Sequence, residues 1–141
     1  MDTIRKYFRH VLRGVLAILI GFSVVAVLNY LGKSIQDIIM PTAVDPAGVP
    51  ITLTAQVFGV IMPFIAGMIA ATVIALVFQQ SLWIYIFVFG LIALLVDTII
   101  LQTQLSEVPF WFKLVIILSI PPQLWIGGTM GLRVKNQIGR C

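Results

Sequence analysis

The sequence predicts an all-α integral membrane protein, a four-transmembrane-helix bundle with both termini cytoplasmic and helix four kinked at Pro121-Pro122. Three observations carry this. Of 141 residues, 60% are hydrophobic and only 10% charged, against about 45–50% and about 25% in soluble domains. The mean hydropathy is +1.11, so the surface itself must be largely apolar, as contact with lipid requires. The charges that remain sit beside the ends of uncharged runs long enough to cross a bilayer.

The same composition excludes a soluble enzyme, a disulfide scaffold and a disordered or nucleic-acid-binding module. The net charge of +4 does not point to nucleic acid, because the basic residues flank apolar runs instead of lining a groove or a helix face. Cys141 is the lone cysteine, closes no internal disulfide and reads as a solvated thiol.

Residues 14–32 carry no charge, and at 1.5 Å per residue they span about 28 Å, close to the hydrocarbon thickness of about 30 Å. The first crossing is therefore placed at residues 11–31. Its basic prelude of Arg5, Lys6, Arg9 and Arg13 resembles that of a signal peptide, but no small-residue cleavage site follows Leu28, so an uncleaved helix is expected. An external connection over residues 32–53 comes next. Within it Ile35, Ile38 and Ile39 have helical spacing, consistent with a short interfacial piece stopped by Pro41, and Asp45-Pro46-Ala47-Gly48 reads as a β-turn.

Residues 46–96 contain no charged side chain; as one helix they would reach about 77 Å, more than twice the bilayer core. The run must fold back, and Gln79, Gln80 and Ser81 are the credible turn, with Ser81 suited to cap the next helix. That places helix two at about 54–78 and helix three at about 82–101. A second turn leads to helix four at about 109–132, with Pro109 in its first turn.

Arg5, Lys6, Arg9, Arg13, Arg133, Lys135 and Arg140 fall on one side of such a layout, and Lys33 and Lys113 on the other. The positive-inside rule then puts both termini in the cytoplasm, with a bacterial inner (plasma) membrane as the expected location. Trp83 and Tyr85 would anchor one interface, and Tyr30, Phe110 and Trp111 the other.

Helix two carries Gly59, Pro63, Gly67, Ala71 and Ala75 at four-residue intervals, and helix four carries Gly127 and Gly131. Stripes of small side chains let backbones approach where lipid supplies no hydrophobic drive. They read first as intramolecular packing faces, and otherwise as a homodimer face. Pro121 and Pro122 remove two amide donors and leave the carbonyls of Ile117 and Leu118 without their usual partners, which Ser119 or Gln123 could replace. The break reads as a static bend or as a hinge.

Asp97 lies four residues before the expected end of helix three, about 6 Å deep, and Lys113 lies about 4.5 Å into helix four from the same boundary. The two could form a structural clasp or a functional intramembrane pair. Asn29 and Gln56 lie on the same side and, with Asp97, Lys113 and Gln102, could line a small polar vestibule. His10 is the only histidine, so a bis-histidine haem or His-rich metal site is excluded; no phosphate-binding loop, zincin motif or nucleophile elbow occurs, and no cofactor is expected. The expectation is a non-enzymatic structural or accessory subunit acting through helix packing in the lipid bilayer, within a larger membrane complex or as a homo-oligomer. The alternative is a small transporter or channel using Asp97 and the broken helix four.

Overall fold

The computed structural model describes residues 2–45, 49–78, 82–103 and 108–138, with side chains described from residue 8 onward. The expected turn at Gln79, Gln80 and Ser81, the centre of the Asp45-Pro46-Ala47-Gly48 turn, Arg140 and Cys141, and the side chains of Arg5 and Lys6 lie outside the described residues. The architecture is all-helical: α1 (Asp2–Ile39), α2 (Leu53–Val77), α3 (Leu82–Thr103) and α4 (Phe110–Ile138). All four helices are long and apolar enough to cross a membrane.

The first helix differs from its expected outline. Its 38 residues reach about 57 Å, well beyond a bilayer core of about 30 Å. The piece at Ile35, Ile38 and Ile39 is not a separate interfacial turn but the continuation of α1. Gly32, the weakest point between them, costs only about 1 kcal/mol in a helix and is buried beside Met62. The helix ends where Pro41 follows: Met40 N donates to Gln36 O at 2.8 Å, the last helical bond before the proline.

Local chemistry sets the other boundaries. Thr52 caps α2, its hydroxyl accepting from Ala55 N at 3.3 Å. Phe78 closes α2 with an N–H bond to Ile74 O at 2.9 Å. Pro109 opens α4 by accepting from Phe112 N at 3.0 Å. Val44 and Pro50 pair in an antiparallel bridge, with Asp45 N donating to Val49 O and Ile51 N to Ala43 O, both at 3.0 Å.

Around the bundle the helices follow the order α1, α2, α4, α3, with α2 also approaching α3, while the backbones of α1 and α4 stay apart among the described residues. The most extensive interface joins α2 to α4. There a Cβ on Gly127 would collide with the Met68 carbonyl oxygen, and one on Gly131 would lie 2.5 Å from Ala75 Cβ and 2.8 Å from Thr72 O. The two backbones are therefore in direct contact, which only glycine permits. The Thr72 hydroxyl lies 2.8 Å from Met68 O and 3.0 Å from Gly127 O, so its proton is shared between its own helix and the partner helix. Gln123 enters the same seam opposite Gly67 and, with its amide nitrogen toward α2, donates to Pro63 O at 3.3 Å and Phe64 O at 3.2 Å.

The prolines of α4 lie inside a continuous helix; Pro121 and Pro122 are exposed on its outer face. Neither expected local partner serves the carbonyls of Ile117 and Leu118. Ser119 Oγ donates to Ile116 O at 2.7 Å, and Gln123 is drawn across to α2 by the space that Gly67 leaves.

The same buried cluster extends to α1 and α3, where the rings of Phe22 and Phe89 meet at a tilt with centroids 5.0 Å apart, beside the fully buried Ile74. Tyr85 OH donates to His10 O at 3.5 Å, and Lys135 Nζ to Leu76 O at 2.8 Å. The starts of α1 and α3 and the ends of α2 and α4 thus share one end of the bundle. Lys135 also supplies a cation and a donor to the open carbonyls that finish α2. Phe87, Leu95, Leu118 and Trp125 point outward and are exposed, as a lipid solvent allows.

Gly127→Ala should destabilise the protein by about 1–3 kcal/mol, the scale of overpacking. Gly59→Ala, whose new Cβ would meet Phe112 at an ordinary 3.5 Å, should be neutral or stabilising by about 0.5–1 kcal/mol through helix propensity. Thermal unfolding in mild detergent separates the two; equal effects would mean that the α2–α4 backbones are not in contact.

Candidate functional site

The end of the bundle opposite the His10–Tyr85 and Leu76–Lys135 contacts holds a cavity of about 480 Å³, within the range of small-molecule sites. Its polar wall comes chiefly from α1. Asn29, Gly32, Lys33 and Gln36 follow the i, i+3, i+4, i+7 spacing of one helix face, and Asp37 stands beside them. Because α1 is unbroken, this stripe extends past the uncharged run while staying against the bundle. The opposite face carries Ile35, Ile38 and Ile39, all exposed.

Asp97 enters the cavity from α3, six residues before that helix ends at Thr103, or about 9 Å of helix. The remaining walls are apolar: Phe58 and Met62 from α2, Ile100 from α3, and Phe112 and Ile116 from α4. The connection after α1 contributes Val44 and Pro50. It is held down at two places. Gln56 Nε2 donates to Pro50 O at 3.2 Å, and Val49 packs against the buried cluster of Leu101, Val108 and Phe112. Asp45 Oδ1 accepts from Val49 N at 2.7 Å.

One polar atom of a cavity-lining residue has no hydrogen-bond partner. Asn29 Oδ1 is buried and accepts no hydrogen bond, whereas buried acceptors are ordinarily satisfied, at a cost of about 1–3 kcal/mol when they are not.

The residues singled out by sequence separate into groups. Asn29 and Asp97 line the cavity together. Gln56 is buried but serves the connection, and Lys113, half-buried in the first turn of α4, is not among the walls. Gln102 is exposed. Gly59 faces Phe112, Gly67 faces Gln123, and Ala71 and Ala75 face Gly127 and Gly131, so α4 occupies the small-residue stripe of α2. By sequence, Gln36 and Asp37 fall on the face opposite the three isoleucines, but they and Lys33 are not joined to Asn29. Their helical spacing from Asn29 is present in the sequence, but it counts only if α1 continues past Gly32.

Among the described residues, no group of three or more His, Cys, Asp or Glu side chains is placed to hold a metal ion. The cavity instead combines carboxylates, amides and one ammonium on one side with hydrocarbon and aromatic surface on the other, an arrangement able to hold an amphipathic small molecule. Compared with known proteins, the chain matches no protein-family model, no curated protein and no solved structure.

Asn29→Leu removes the unsatisfied acceptor while keeping side-chain bulk. It should raise the unfolding midpoint of the detergent-solubilised protein, by about 1 kcal/mol in stability. A lowered midpoint would show instead that the amide is held by the protein.

Proposed function

We propose that this chain is a non-enzymatic membrane protein that receives a small solute in the cavity between α1 and the ends of α2, α3 and α4, acting as a small carrier or channel. The supporting observation is that Asp97, an acid in a membrane-spanning helix, lines the same cavity as the polar stripe of α1. Ionisable groups within a membrane are expensive and mark solute or ion paths more often than chance. A packing role for the small-residue stripe is already taken up inside the chain, since Gly127 and Gly131 are covered by α2.

In this reading the protein lies in a bacterial inner (plasma) membrane with both termini cytoplasmic, because Arg9, Arg13, Arg133 and Lys135 gather at the end away from the cavity. The cavity then opens to the non-cytoplasmic side. Helix α4 is kinked at Pro121-Pro122, about one and a half turns beyond the cavity residue Ile116, and the kink is the hinge about which the Phe112 end of α4 moves.

A second reading, an accessory subunit of a larger complex or a homo-oligomer, is favoured by α1, which is the least buried of the four spans and exposes Leu12, Leu16, Leu19 and Val27. In that case cross-linking in the membrane through a cysteine at Leu19 would give a discrete higher-mass species.

The cavity reading is tested by accessibility. In a Cys141→Ser background, Asn29→Cys should react with a membrane-impermeant cationic thiosulfonate added to spheroplasts, while Ala71→Cys, buried in the α2–α4 seam, should not. Labelling of Asn29→Cys only after permeabilisation would reject both the orientation and the opening. Reporter fusions after Ala47 and after Cys141 should report opposite sides of the membrane.

A further inference from the structure

Resting on the reading of the cavity as a solute site, we infer that its solute is an organic monocation with an apolar body, an alkyl- or arylammonium compound. Among the described residues the walls hold two carboxylates, Asp37 and Asp97, against one ammonium, Lys33. Their formal sum is one negative charge, which a single cation completes and an anion worsens.

Hydrogen-bond chemistry points the same way. Asn29 and Gln36 line the cavity together with the two carboxylates, and an ammonium group donates to amide oxygens and carboxylates alike, to the latter as charge-assisted bonds. A neutral hydroxyl offers one weaker donor, and a carboxylate ligand offers none. Size and lining exclude a bare metal ion as the natural fit. The volume of about 480 Å³ far exceeds the roughly 30 Å³ of one water molecule, and Phe58, Met62, Ile100 and Phe112 give no oxygen ligands. The same residues suit a hydrocarbon or aromatic body.

The test uses the purified full-length chain in a neutral maltoside detergent and three compounds of one shape: phenethylammonium, 2-phenylethanol and phenylacetate. Isothermal titration should show phenethylammonium binding at least tenfold tighter than 2-phenylethanol, with phenylacetate weakest. Asp97→Asn, titrated in the same micelles, should lose at least tenfold for the cation while leaving 2-phenylethanol within twofold. Lys33→Gln, at the exposed rim, removes the competing ammonium and should tighten cation binding severalfold; it keeps the test decisive if Asp97→Asn does not fold. Equal affinity for the cation and the alcohol, preference for phenylacetate, or weaker cation binding in Lys33→Gln would overturn the cation assignment while leaving the cavity as a solute site. Binding of none of the three would overturn both.

Discussion

Where Gly127 and Gly131 of α4 lie against Met68, Thr72 and Ala75 of α2, two helix backbones touch without side chains between them. In lipid, tails are as apolar as leucine, so helices associate through close packing and hydrogen bonds across the seam. This contact supplies both. The Thr72 hydroxyl and the Gln123 amide reach carbonyls across the seam, and each polar group settled in this way avoids the cost of burial without a partner. The remaining helices attach to the α2–α4 pair: α1 to α2, and α3 chiefly to α4.

The contact also decides where the cavity lies. Along one part of the seam glycine meets backbone, and the space is closed. Toward the starts of α2 and α4 the pairing changes: Gly59 faces the ring of Phe112 at ordinary contact distance, and Phe58, Met62 and Ile116 line open volume. A bundle drawn together at one end and spaced by aromatic and branched side chains at the other leaves a recess at the spaced end. The length of α1 then gives that recess its character, because the helix carries Asn29, Lys33 and Gln36 along one flank and isoleucines along the other.

The four helices of membrane-spanning length were legible in the sequence because hydropathy is a summed, local property. An uncharged stretch must cross or fold back, and helix length against bilayer thickness settles which. The small-residue stripe was equally legible, since four-residue spacing needs no knowledge of the partner. The continuation of α1 was not. Gly32 and Lys33 look like the end of a span by composition, yet neither breaks a helix, and Met62 packed beside Gly32 supports the continuation. The partners of Ser119 and Gln123 were also beyond reach, because the space that attracts Gln123 belongs to Gly67, on a helix far away in the chain.

By itself the sequence determined that the chain is helical, that it carries four segments able to lie in a membrane, and which faces are small enough for close approach. Those follow from side-chain type and periodicity, which act within a turn or two. Only the tertiary structure decided that Asn29 and Asp97 border one cavity, that Gln56 ties down the connection instead, and that Lys33, Gln36 and Asp37 join the wall. The physical reason is rotational. Spacing along a helix defines a face, but the direction in which that face points depends on how neighbouring helices lock together, here on glycines that allow α4 to settle against α2 in one register.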